Sequence, residues 1–336
     1  MAVDLVWFWE FRGYQLEARD RLTAVLASAP ADDPGRGRAL VAAAQFANLI
    51  GEPAQARTLL LEGLPIVRRQ GDERWTMLAA SGLAVVAASL GDEDEMARRA
   101  EQAIATARAG SDDWSLAVAL NRYASTPNLV RRDPQRARRM VEEALCIIRR
   151  LGAAGTIAAT AHTAAEIALD AGDLDAADQL LSESLDHAQE VDDRSCIAYT
   201  LASRAVLSLL RDDVEGAAAA LSAAIQTFAP YFHRVFVAAA VLPAAGTIAA
   251  MQREPRRAAM LWAAGDSLRG GIPEREAIAG LRARWQPHAR ADVDDQAAWD
   301  AAALAGTELA LEAALALAAG REHDPQTREH DHTLTT

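Results

Sequence analysis

The sequence predicts an all-α fold built from consecutive antiparallel helix pairs, and three observations support this prediction. Hydrophobic residues make up 51% of the 336 residues but aromatic residues only 5%, because alanine, the best helix former, fills the difference. Apolar residues recur at helical spacing in segments such as ARRMVEEALCIIRRL, and no segment reads as a strand. A short polar turn recurs about every 40 residues, which indicates a repeat array.

Each repeated turn joins two helices. The turns read GEPAQAR, GDEDEMAR, RDPQRAR, GDLDAAD, DDVEGAA and REPRRAA, starting at residues 51, 91, 132, 172, 212 and 253. Each includes a small residue near its end: Ala56, Ala97, Ala137, Ala177, Ala217 and Ala258. A second small residue lies about 12 positions upstream of each: Ala44, Ala84, Ser125, Ala165, Ala205 and Gly246. Small residues on both sides of a polar turn allow the two helices to pack closely.

This periodicity divides the chain into four segments. Residues 1–34 are expected to form a front helix pair and a loop, and residues 35–270 about six repeated helix pairs. The period breaks after residue 270, so we expect residues 271–320 to form helices that cap the array. Residues 321–336 contain almost no apolar side chains and are expected to be disordered.

Acidic residues and prolines mark the helix ends. Asp72, Asp112 and Asp192 stand where the first helices of three pairs should begin. Pro127 and Pro243 fall inside first helices, which they should bend or interrupt.

The turn pattern G-D-x-x-x-A, with a small residue upstream, resembles the tetratricopeptide repeat, whose usual period is 34 residues. HEAT and armadillo arrays share the longer period but lack this turn, and they remain the alternative. The resemblance implies a right-handed superhelical solenoid of antiparallel helix pairs with a C-terminal helical cap.

Longer tetratricopeptide-like repeats are typical of the helical sensor region in large bacterial regulatory ATPases of the AfsR and LuxR type. Two parts of the chain resemble the ends of that region. One is LVWFWEFRGYQLEARDRLTAVLA from residue 5; the other is RRAAMLWAAGDSLRGGIPERE from residue 256, followed by QAAWDAAALAGTELALEAALALA from residue 296. The resemblance covers about residues 4–319 and implies a role in bacterial transcriptional or signalling regulation.

The charged residues exclude several functions that this family combines with its repeats. All 34 basic residues are arginine, whereas a Walker A loop, a protein-kinase strand and Schiff-base chemistry each require lysine. We expect no helix-turn-helix after residue 319, and a net charge of −13 opposes binding to nucleic acid. We therefore expect no cofactor, no direct nucleic-acid contact, no membrane association and a cytoplasmic location.

The resemblance also implies which side chains face the inner groove, since the first helix of each pair lines it. They lie three residues before and one residue after each upstream small residue, with Arg38 and Tyr199 one turn earlier. The candidate binding residues are Arg38, Gln45, Arg122, Thr126, His162, Glu166 and Tyr199. The other positions are Val41, Ser81, Val85, Ala202, Val206, Pro243 and Thr247. Such a groove could hold a protein, a peptide or a small effector. Alternatively, these side chains only solvate the groove or pair with one another, as His162 and Glu166 could.

Other motifs have simpler explanations than catalysis or metal binding. Residues 265–268 spell GDSL, as in serine hydrolases, but they lie within a second helix, where Gly265 allows close packing. The tail histidines His323, His330 and His332 lack the fixed geometry that a metal site requires. We therefore predict no catalytic and no metal-binding residue. Cys146 and Cys196 lie on apolar stretches and are expected to be unpaired core residues.

The sequence thus predicts a non-enzymatic helical-repeat protein that binds a partner or effector through its concave surface. One alternative is a detached sensor region that acts beside a separate ATPase or DNA-binding chain. A less favoured alternative is an enzyme on a helical scaffold, since no residues have catalytic spacing.

Overall fold

The computed structural model describes residues 5–12, 14–30, 32–110, 112–228, 236–270, 272–293 and 295–320. This part of the chain contains helices and turns and no β-strand, which confirms the all-α prediction. None of its helices is long and apolar enough to cross a membrane. The predicted disordered tail, residues 321–336, lies outside the described residues, together with its three histidines.

Helices α1 (Val6–Arg12) and α2 (Gln15–Ser28) come first, and six helix pairs follow in the described chain. The pairs are α3 (Arg36–Leu49) with α4 (Pro53–Arg69), α5 (Glu73–Ser89) with α6 (Glu93–Ala109), α7 (Asp113–Ala124) and the short α8 (Pro127–Arg132) with α9 (Pro134–Leu151), α10 (Ala154–Asp170) with α11 (Leu174–Glu190), α12 (Arg194–Leu210) with α13 (Val214–Phe228), and α14 (Leu242–Met251) with α15 (Pro255–Arg269). Three more helices complete the described chain: α16 (Glu276–Ala291), α17 (Gln296–Thr307) and α18 (Leu311–Ala318).

Aspartates cap these helices much as the sequence indicates. Asp72 accepts a hydrogen bond from the N–H of Trp75 at the start of α5, and Asp112 does the same for Trp114 at the start of α7. At α12 the cap is Asp193 rather than the predicted Asp192. Asp192 has a left-handed backbone with φ of 51° after the end of α11, so the next helix begins one residue later.

The small residues of the second helices lie in the core. Ala56, Ala137 and Ala177 are fully buried, as are the corresponding residues in the last two pairs. In the second pair the buried residue at this position is Met96. Ala97, which the alignment of the turns predicts there, is only half-buried. Ala97 lies six residues after its turn glycine instead of five, which rotates it about 100° away from the core.

Pro127 interrupts its helix as predicted, whereas the helical backbone continues through Pro243. Helix α7 ends at Ala124, and the chain starts a new short helix, α8, at Pro127. Before Pro243 the backbone forms a π-helical turn, Val237–Val241, which leads directly into α14. The carbonyl oxygen of Pro243 accepts a hydrogen bond from Trp262 Nε1 of α15 at 3.3 Å, which joins α14 to its partner helix.

The C-terminal helices fold back onto the array. Helix α17 packs against α15, whereas α16 contacts α14, α12 and α10 on their inner side. The residues that precede α16 line the inner face, where Arg275 bonds to Glu166 and Asp170 of α10. We call residues 272–275 the strap.

The front helices also reach a distant part of the array. Helix α1 contacts α12, and Arg12 forms an ion pair with Asp192. Next to it, Gln15 Nε2 of α2 lies 3.3 Å from the hydroxyl of Ser195, and both side chains are buried. The array is therefore curled so that its front touches the fifth helix pair, which encloses the inner face.

Candidate functional site

The inner face of the array contains a central cavity of about 400 Å³. Its walls come from the first helices α5, α7, α10 and α12, from residues 236–240, and from the strap and the start of α16. A volume of this size lies within the range of sites that hold small ligands or peptide side chains.

Five of the candidate binding residues line this central cavity: Arg122, Thr126, His162, Glu166 and Tyr199. Gln45 lines a second cavity of about 250 Å³, whose walls share Val85, Arg122 and Ser125 with the first. The two cavities therefore adjoin along the inner face.

Arg38 lies apart from both cavities. Its exposed side chain donates from Nε to Asp72 Oδ2 at 2.6 Å, because the first turn of α3 stands beside the start of α5. Among the remaining inner positions, Ala202 and Thr247 are buried in helix packing, and the Thr247 hydroxyl donates to the carbonyl of Pro243.

Arg122 lies where the two cavities meet. Its Nη1 donates to the hydroxyl of Ser81 at 3.1 Å and to the carbonyl oxygen of Leu78 at 3.4 Å, both on the neighbouring α5. These bonds hold the guanidinium group against the groove wall, because Ser81 is itself a buried inner-face residue.

His162 pairs with Ser203, not with Glu166 as the helical spacing allowed. Its Nε2 lies 3.0 Å from the Ser203 hydroxyl of the next first helix, α12. Burial lowers the pKa of His162, and the nearby Glu166 opposes this effect only in part. The imidazole is therefore neutral near pH 7, and it packs beside the Tyr199 ring at a centroid distance of 6.1 Å.

A serine and a histidine in contact raise the question of nucleophilic catalysis. In a hydrolase triad, a carboxylate orients the imidazole from its other nitrogen. Here Glu166 instead accepts a bond from Arg275, and the second hydrogen bond of His162 involves the backbone of Tyr199. In the described part of the chain no three His, Cys, Asp or Glu side chains are placed to hold a metal ion.

Glu166, Asp170 and Arg275 form a cluster that the sequence did not predict. Arg275 of the strap donates from Nη1 to Glu166 Oε2 at 3.1 Å and from Nη2 to Asp170 Oδ2 at 2.5 Å. The N–H of Ala277 donates to the other oxygen of Asp170 at 3.0 Å. Burial raises the pKa of Asp170, although Arg275 and this N–H group oppose the rise. The four-residue spacing of the two acids on α10 is a sequence signal, but it does not reveal that the strap supplies their partner.

The rest of the cavity wall is mainly apolar. Tyr199 and Phe236 meet edge to face with their ring centroids 4.4 Å apart. Val206 and Ile278 also line the cavity, as do Ile272 and Pro273 from the strap. The cavity thus combines an aromatic and aliphatic surface with a few fixed charged groups, which is the usual composition of a binding pocket.

Comparisons with known proteins agree with the repeat fold. A family model described as anaphase-promoting complex subunit 5 matches residues 55–126 and 163–229, which include most of α4 to α7 and of α10 to α13. No curated protein sequence matches the chain.

The solved structures that match this chain include a Rap protein and BtubC. A Rap protein, solved in complex with competence and sporulation factor, has a TM-score of 0.56 and 13% identity, over 85% of this chain and 75% of that one. BtubC from P. vanneervenii has a TM-score of 0.46 and 18% identity, over 64% of this chain and 89% of that one. Together with the family match, the likeness to the Rap protein supports a tetratricopeptide-like helical repeat fold for this chain.

Proposed function

We propose that this chain is a non-enzymatic binding protein whose central cavity holds a peptide segment of a protein partner, and that it serves bacterial transcriptional or signalling regulation. The observation that carries the proposal is the central cavity itself, where Arg122, His162 and Glu166 meet an aromatic wall on the concave side of a repeat scaffold. Inner grooves are the usual binding surfaces of such arrays.

The shape of the inner face favours an extended ligand over a compact one. The cavity beside Gln45 shares three wall residues with the central cavity, so the lined surface continues from α3 to the residues before α14. An extended peptide can follow this surface and place successive side chains in both cavities. The Rap protein of similar fold was solved with competence and sporulation factor, which supports a ligand of this kind by analogy.

The test is to select peptides from a random heptapeptide phage library on the purified chain and to measure their affinity by fluorescence anisotropy. Ala240→Trp places a large ring in the central cavity, whereas Ala219→Trp adds the same ring to an exposed position of α13. We expect Ala240→Trp to weaken binding at least about tenfold and Ala219→Trp to leave it unchanged, because only the first blocks the site. Equal binding to both variants, or recovery of no peptide, would contradict the proposal.

A second candidate function is that of a regulatory subunit that acts beside a separately encoded ATPase or DNA-binding chain. The exposed apolar side chains Leu5, Phe8 and Leu16 on the front helices favour a protein contact there, since such residues are costly to leave in water. A neighbouring gene for an ATPase, whose product co-elutes with this chain but not with Phe8→Ser, would support it. Co-elution with Phe8→Ser as well would contradict this contact.

A further inference from the structure

Within the described residues, the acidic pair of α10 has fewer cations than carboxylates around it. Glu166 and Asp170 both bond to one guanidinium group, that of Arg275, and the neighbouring His162 is neutral. Counted over the described part of the chain, two carboxylates and one cation leave about one negative charge at this end of the central cavity. Uncompensated charge in a desolvated site attracts an opposite charge more strongly than it would in water.

Glu166 is the member of the pair that faces the cavity. The Glu166 side chain is 22% exposed, whereas that of Asp170 is 5% exposed and has both oxygens engaged. The hydrogen bonds within the described residues use Oε2 of Glu166 and leave Oε1 as an acceptor. A donor inside the cavity can therefore reach Glu166 without displacing the strap.

The aromatic wall of the same cavity suits the body of a cationic side chain. Tyr199 and Phe236 present ring surface there, and aromatic faces attract guanidinium and ammonium groups. Arg122 of α7 also lines the cavity. A hydrogen bond to Ser81 of α5 holds its guanidinium group in place. The cavity thus has one acidic and one basic end.

From this arrangement we infer that the central cavity selects a peptide carrying a cationic group, an arginine or lysine side chain, which binds Glu166 beside Arg275 while its stem packs on Tyr199 and Phe236. This inference rests on the proposed function and adds the chemical class of the ligand. Charge-assisted bonds of this kind are among the strongest in binding sites.

The experiment compares two pools of N-acetylated, C-amidated hexapeptides in equilibrium dialysis, with bound peptide quantified by mass spectrometry. The third residue is arginine in one pool and citrulline, its neutral isostere, in the other, and the remaining positions vary among uncharged residues. We expect the wild-type chain to retain the arginine pool about tenfold more strongly. Glu166→Gln should remove this preference, and Glu142→Gln, the same change at an exposed acid of α9, should keep it.

Each outcome is decisive. Equal retention of both pools by the wild-type chain, or a preference that survives in Glu166→Gln, would overturn the inference. If both pools bind equally but Ala240→Trp releases them, the cavity still binds peptides and only the inferred selectivity is wrong. If neither pool binds, the inference and the proposed function fail together.

Discussion

Asp193 is a buried carboxylate at the start of α12. Its side chain is 6% exposed and accepts a hydrogen bond from the N–H of Cys196 at 2.9 Å. Burial raises the pKa of Asp193 to about 6, although the N–H groups of Cys196 and Ser195 oppose the rise. The pKa of an aspartate in the unfolded chain is near the ordinary value of 3.8. The folded state therefore binds this proton more tightly than the unfolded state does.

Replacing Asp193 with asparagine should raise the stability of the fold above pH 6. Between about pH 4 and 6 the native state holds more protons, so the contribution of Asp193 to the free energy of unfolding falls as pH rises. Asparagine keeps the cap without the charge. The difference in free energy of unfolding between Asp193→Asn and the wild-type chain should therefore be about 2–3 kcal/mol more favourable to the variant at pH 7.5 than at pH 4. Urea unfolding followed by circular dichroism at both pH values measures this difference.

The control for this prediction is Asp133→Asn, which changes an exposed cap at the start of α9. A gain of the same size and pH dependence at Asp133 would assign the effect to capping and contradict the role of burial. A stability difference at Asp193 that does not grow with pH would contradict it directly.

The cysteines show what a sequence resolves at single residues. Cys196 was expected in the core and lies there, and burial raises its thiol pKa to about 12. Cys146 was also expected in the core, but it is exposed, so that prediction was wrong. It lies in the apolar run ALCII, and because each helical residue turns about 100°, five consecutive residues cannot all face inward. The sequence predicts that such an apolar run is helical. The packing of that helix then decides which of its residues faces water.

At the scale of elements, small residues set how closely the helices approach. A Cβ atom added to Gly306 of α17 would lie 2.3 Å from the carbonyl oxygen of Met260 in α15, because the two backbones nearly touch there. Gly280 of α16 is also helical, but a Cβ added to it would meet nothing within 4 Å. The two glycines therefore differ in their surroundings and not in their secondary structure.

Alanine substitutions at these glycines should have opposite effects. Gly306→Ala should lower the free energy of unfolding by about 1–3 kcal/mol, because the backbone of α15 has to move. Gly280→Ala should raise it by about 0.5–1 kcal/mol, since alanine is the better helix former. Thermal unfolding of both variants tests this, and a stable Gly306→Ala protein would show that α17 does not pack as closely as described.

The periodicity of the sequence predicts most of the elements but not the path of the strap. Turn motifs and the helical spacing of apolar residues are local, so they predict a succession of helix pairs. The contacts of Arg275 with Glu166 and Asp170 instead join residues more than a hundred positions apart. No local pattern encodes such a pairing, so the sequence does not predict that Arg275 bonds to the two acids of α10.

At the scale of the whole molecule, both ends of the described chain close around the inner face. Helix α1 reaches α12 at one side, and the strap contacts α10 at the other. The sequence predicts the succession of helix pairs, whereas the degree of curling depends on the small angle between each pair and the next. Five of the candidate binding residues therefore meet in one cavity because of both the repeat register and this curvature.

Hydrogen–deuterium exchange of the chain with a selected peptide tests most directly the claim that the concave cavity is the binding site. The peptide should slow exchange in the inner helices α5, α7, α10 and α12 and in the strap, because bound peptide excludes water from their shared surface. The outer helices α4, α6, α9 and α11 should exchange as before. Protection confined to the outer helices, with the inner face unchanged, would contradict the claim.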